Sequence, residues 1–160
     1  MNAPPSGPPI MVLGVGNPIM SDDGVGLALL ARLEQARPSH RVAYVDGGTG
    51  GMSLLPEVEA AARLLVLDAV AGGQPGEVRH LSGDEIPRLL ASKLSPHQIG
   101  LLDVLTAARL RGAEPALIEV VGVVPASVEL AIGLTEPVQA ALDEATARAL
   151  AVLDAWLAEV

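Results

Sequence analysis

Two stretches of this chain, Ile10–Val15 and Leu64–Leu67, are unbroken apolar runs, and a third, Leu117–Val124, is strongly β-branched. A strand that is apolar on both faces must be covered on both faces, which an exposed antiparallel sheet does not provide. Segments with helical spacing alternate with these runs. The pattern predicts an α/β fold, a three-layer α/β/α sandwich around a mostly parallel, twisted sheet of about five strands. Arg41–Val45 and Glu77–Leu81 supply the other two strands, the second polar enough to lie nearer an edge. Val25–Arg37 reads as a helix with Leu27, Leu30, Ala31 and Leu33 at helical spacing, Ser21 or Asp22 as its N-cap and Pro38 closing it. A short helix is expected from about Ser53, another over Asp84–Leu90, and a longer one from Ser95 or His97 through Arg111. Thr135-Glu136-Pro137 opens the last helix with a cap, an acid and a first-turn proline. Its expected apolar face is Val138, Leu142, Ala145, Val152, Leu153 and Trp156.

Half of the residues are hydrophobic and mean hydropathy is +0.44, yet the apolar runs are too short to span a bilayer. The long uncharged stretch Met1–Ser21 contains Pro4, Pro5, Pro8, Pro9 and Pro18 and lacks the basic residues of a signal peptide. A cytoplasmic protein is expected, with residues 1–9 a disordered lead and 10–160 a single domain. It is also expected to be a monomer. With no cysteine, thiol nucleophiles, zinc ribbons and iron–sulfur clusters are excluded. A net charge of −9 argues against nucleic acid or an anionic membrane surface as partner.

In a parallel sheet, sites form beyond the C-terminal ends of the strands. Gly16-Asn17, Asp46 and Asp68 all fall at such ends. Gly14-Val15-Gly16 begins like a dinucleotide fingerprint, so a nucleotide-binding α/β domain is one alternative. The third glycine is missing, however, with Ile19 in its place, and Asp22-Asp23 would repel a phosphate. One of those two acids suffices to cap the following helix, which leaves the other for a second task. Asp68 follows four aliphatic residues and needs a hydrogen-bonding partner or a cation to remain ionised. Of three histidines, His40 and His80 read as solvated, whereas His97 stands where a loop meets a helix. Asp23, Asp68 and His97 thus come from three loops that this fold gathers, an O,O,N set suited to a borderline divalent ion with open positions.

Taken together, Gly14-Val15-Gly16-Asn17-Pro18, Asp22-Asp23-Gly24-Val25-Gly26, Asp46-Gly47-Gly48-Thr49, Asp68-Ala69, Ser95-Pro96-His97-Gln98, and Gly122 leading to Glu129 and Gly133-Leu134-Thr135 resemble the nickel–iron hydrogenase maturation endopeptidases, grouped with the aspartyl proteases. The resemblance runs from about Met11 to the last helix. It implies a protease that removes a C-terminal extension from the hydrogenase large-subunit precursor after nickel insertion. Nickel would be presented by the substrate, with no organic cofactor. By position Asp23, Asp68 and His97 would be both the metal-binding and the catalytic residues, and Asp46, Gly47, Gly48 and Thr49 the substrate-recognition loop. Relatives with the Ser-Pro-His-Gln motif often carry Glu where this chain has the shorter Asp23, which makes Asp22 a candidate to share the task. A nickel-sensing chaperone that binds the precursor without cutting it is the other alternative.

Overall fold

The computed structural model describes residues 8–83, 86 and 96–160. The strands are β1 (Ile10–Val15), β2 (Val42–Gly48), β3 (Arg63–Ala69), β4 (Val78–Ser82) and β5 (Leu117–Val123). The helices are α1 (Val25–Ala36), α2 (Leu55–Ala60), α3 (Pro96–Leu110) and α4 (Glu136–Glu159), with single 3₁₀ turns at Ser21–Gly24 and Gly51–Leu54. The sheet order is β2-β1-β3-β5-β4. All pairings are parallel except β4 with β5, so the polar fourth strand does lie at an edge. The expected Asp84–Leu90 helix and most of the N-terminal lead lie outside the described residues. Pro9, assigned to that lead, already belongs to the fold, because its carbonyl accepts the amides of Ala62 and Arg63.

The alternation of side chains divides the core in two. Ile10, Val12, Leu65, Leu67 and Val121 pack with α1 and α4, while Met11, Leu13, Leu64, Val66 and Val120 pack with α2 and α3. From β1 the chain moves outward to β2 and then returns past β1 to β3. The order therefore reverses between β1 and β3, and the crevice beyond their C-terminal ends is where such a fold places a site.

Three local expectations need correction. α1 turns Val25, Leu29, Leu30 and Leu33 inward, leaving Leu27 half-buried and Ala31 exposed. Its start explains the rotation. Gly26 sits so close to the sheet that a Cβ there would lie 2.3 Å from the Leu67 carbonyl oxygen and 2.5 Å from that of Val15. Neither Ser21 nor Asp22 caps this helix, since a 3₁₀ turn intervenes and Gly24 is the cap without a side-chain bond. Finally, β2 runs on through Asp46-Gly47-Gly48, expected as loop, because a bulge against Gly14 and Val15 keeps the pairing alive past Asp46.

Arginines from distant parts of the chain hold α4 in place. Arg32 reaches Asp143 at 2.7 Å, Arg63 pairs with Glu159, and Arg41 donates to the carbonyls of Leu157 and Val160. Arg37 grips Asp154 in a fork at 2.7 and 2.8 Å. Those hydrogen bonds hold the Asp154 carboxyl below its ordinary pKa, against a smaller opposing effect of burial.

Two predictions follow from this packing. Gly26→Ala should destabilise the protein by about 1–3 kcal/mol, the range for overpacking against a backbone that cannot yield; an unchanged denaturation midpoint would contradict the contact. A carboxyl whose folded pKa is depressed adds stability above its unfolded pKa and loses it as pH falls through the folded one. Asp154→Asn should therefore lower the midpoint slightly at pH 7, and the difference from the parent should begin to shrink as pH falls below about 4, the ordinary carboxylate range, and vanish only once Asp154 is protonated in the folded protein as well.

Candidate active site

The site begins where β1 ends. Gly16 has φ +137°, and a Cβ on it would lie 1.9 Å from the Asp23 carbonyl oxygen. The turn Ser21–Gly24 thus folds back onto the end of β1, and the Asp23 backbone occupies the place where a fingerprint loop would leave room for a pyrophosphate. The Asn17 amide donates to Asp23 Oδ2 at 2.9 Å, and Asn17 Oδ1 accepts the amide of Ile19 at 3.2 Å. Asp23 is buried, and its turn packs against β3.

Asp68 lies on β3 itself, in its last two residues, and is fully buried. Leu64 and Val66 face α2 and α3, so the period of two directs Asp68 to that same side. Its Oδ1 accepts the following amide, Ala69 N, at 2.7 Å. Gly122 stands opposite in the β5 register, where a Cβ would come within 2.6 Å of the Asp68 carbonyl oxygen and of Val70 Cγ1. Glycine at this point lets β5 and the chain after β3 close together around the acid.

The Asp46-Gly47-Gly48-Thr49 segment is placed differently. Asp46 is exposed and turns back on itself, its Oδ1 accepting the Gly48 amide at 3.0 Å. Gly47 is buried against Leu13, Val15 and Leu54, while Gly48 is half-buried and Thr49 stands in the open. Helix α3 begins beside this loop. A Cβ on Gly100 would lie 3.2 Å from Gly51 Cα, so two glycines allow the first turn of α3 to approach the turn after β2. His97 belongs to that first turn; its imidazole lies outside the described side chains.

Asp23 and Asp68 are therefore brought to the switch point as buried acids, each oriented by a backbone amide, and the helix of His97 starts over the neighbouring loop. Among the described residues, no three His, Asp or Glu side chains form a metal cluster. Two fixed carboxylates offer hard oxygen donors, the chemistry expected for the oxygen part of an O,O,N set.

Asp22 has a different task from either expectation. It is fully buried, and its carboxylate is bonded to the segment between β5 and α4. Its Oδ2 accepts Ala126 N at 2.9 Å, Ser127 N at 3.1 Å and Thr135 Oγ1 at 2.7 Å, and its Oδ1 accepts Thr135 N at 2.7 Å. Thr135 stands at the start of α4 as foreseen, but its hydroxyl serves Asp22 and makes no cap bond. Nothing in the sequence links positions 22 and 135, which are 113 residues apart.

Residues 27–152 match the family model described as HycI, hydrogenase maturation protease. The chain is 41% identical over 148 residues to the hydrogenase 2 maturation protease of Escherichia coli K12, covering 90% of each chain. It superposes on the hydrogenase maturating endopeptidase HybD from E. coli with a TM-score of 0.85 at 41% identity, over 91% of each chain. A [NiFe] hydrogenase maturation protease HybD from Thermococcus kodakarensis gives a TM-score of 0.74 at 29% identity, over 89% of this chain and 97% of that one.

The seat of the acid turn on Gly16 is open to a direct check. In Gly16→Ala the Asp23 backbone has to move away, so the Asn17 amide should lose hydrogen-exchange protection relative to the rest of the sheet. Parent-like protection at Asn17 would contradict the packing.

Proposed function

Because this chain belongs to the hydrogenase maturation protease family, we propose that it is the endopeptidase that removes the C-terminal extension of a nickel–iron hydrogenase large-subunit precursor once nickel is in place. The observation that carries this reading is the pair of buried acids, Asp23 and Asp68, at the point where the sheet order reverses. We assign Asp23, Asp68 and His97 as the groups that meet the nickel held by the substrate. Asp46, Gly47, Gly48 and Thr49 form the loop that meets the precursor chain beside it.

Carboxylates buried in an apolar sheet are costly unless hydrogen-bonded or bound to a cation. A nickel ion brought by the substrate is such a cation. Recognition then depends on metal loading, because an empty precursor offers nothing to the acids. A site of few oxygen and nitrogen ligands also does not compete with thiolates for the metal, and the chain has no cysteine that would strip it.

Hydrolysis needs a proton taken from water as the scissile carbonyl is attacked, and the carboxylates of Asp23 and Asp68 are the acceptors at this site. Ser21, the nearest hydroxyl in sequence to the acids, donates to the Glu129 carbonyl at 2.6 Å and is held as structure. The protein is assigned to the cytoplasm as a monomer. No helix among the described residues is long and apolar enough to cross a membrane.

Asp68→Ala and His97→Ala should abolish processing of nickel-loaded precursor, seen as the absence of a C-terminal mass loss, while cooperative unfolding is retained. If either folded variant trims the precursor at the parent rate, the assignment of the site is wrong.

A further inference from the structure

The turn Ser21–Gly24 carries a cost that capping does not explain. Ser21 has φ +52°, the sole non-glycine residue with positive φ among those described, in a conformation that disfavours a side chain. Asp22, next to it, is a fully buried carboxylate with four donors converging on it, all from the segment between β5 and α4. The same segment is joined to the turn by further bonds. Ser21 N donates to the Ala131 carbonyl at 2.9 Å, Ala131 N to that of Ile19 at 3.0 Å, Asp22 N to that of Ser127 at 3.1 Å, and Ser21 Oγ to that of Glu129. Beyond these bonds the segment exposes Leu130 and Ile132, beside the exposed Ile19.

We infer that Asp22 is a positioning residue: its carboxylate ties the acid turn to residues 126–135, and so fixes Asp23. The inference rests on the assignment of Asp23 to the site. Asp22 does not reach the substrate's metal itself, because both of its oxygens are committed to the 126–135 segment. Its influence passes through one peptide unit to Asp23, whose carbonyl lies against Gly16 with no slack and whose Oδ2 is held by the Asn17 amide. A shift of residue 22 is therefore passed on to the Asp23 carboxylate.

The test uses Asp22→Asn, which keeps the size of the side chain and replaces one oxygen by an NH₂ group. Whichever way the amide is turned, its hydrogens face at least one N–H donor of the segment. With nickel-loaded precursor as substrate, kcat per folded molecule should fall by about tenfold to a hundredfold, as expected for a small misplacement of a reacting group, with KM little changed. Thr135→Val, which removes only the Oγ1 donor, should lower kcat less. The double variant should be no worse than Asp22→Asn alone, since both substitutions break one unit. Parent-like kcat in folded Asp22→Asn, or a loss expressed only as a higher KM, would overturn the inference. If Asp22→Asn does not fold, parent-like kcat in Thr135→Val would do so. Asp23→Ala measured alongside separates the two levels. If it is inactive while Asp22→Asn is normal, only the positioning role fails; if it is fully active, the site assignment fails and the positioning role with it.

Discussion

A carboxylate removed from water has to recover its hydration from the protein or from a bound cation, and this chain does so at three aspartates within one region of the sheet. At Asp22 the recovery is complete and internal, with backbone amides and one hydroxyl meeting both oxygens. At Asp23 and Asp68 a neighbouring amide fixes one oxygen and thereby the orientation of the group. The same physical demand thus yields a strut in one case and, in the other two, buried carboxylates whose orientation a backbone amide helps to fix. The fold around them is arranged to permit both.

The permission comes from close backbone approach. Gly26 brings the first turn of α1 onto the carbonyls of Val15 and Leu67, Gly16 accepts the Asp23 carbonyl, and Gly122 lets β5 lie beside the segment that follows Asp68. Each glycine removes a Cβ at a place where elements converge on the switch point. The third glycine of a dinucleotide fingerprint serves close helix–strand packing. Here Gly26 fills that office, ten positions after Gly16, and the intervening residues form the acid turn. The early resemblance to a nucleotide loop and its failure at Ile19 have this single structural cause.

Much of this was legible in the sequence. Apolar runs named β1 and β3 because a buried parallel strand has no polar face to hide, and the polar Arg79 and His80 marked β4 as an edge. Asp68 stood out because four aliphatic residues precede it. The phase of α1 was missed, since Leu27 and Ala31 satisfy helical spacing as well as Val25 and Leu29 do, and only the seat of Gly26 decides between them. The length of β2 was missed because glycines suggest loops, whereas a bulge admits them to the strand. The role of Asp22 was illegible for a different reason. Asp-Asp-Gly before a helix looks like a cap at the level of local sequence, and its true partners lie in a segment more than a hundred residues away.

The proposed function requires that the buried acids read a metal carried by the substrate. It is tested most directly by offering the purified protein matched samples of one large-subunit precursor, with and without nickel, and following the C-terminal mass loss. Cleavage of the loaded precursor and persistence of the empty one is the result this account predicts; equal cleavage of both, or of neither, would contradict it.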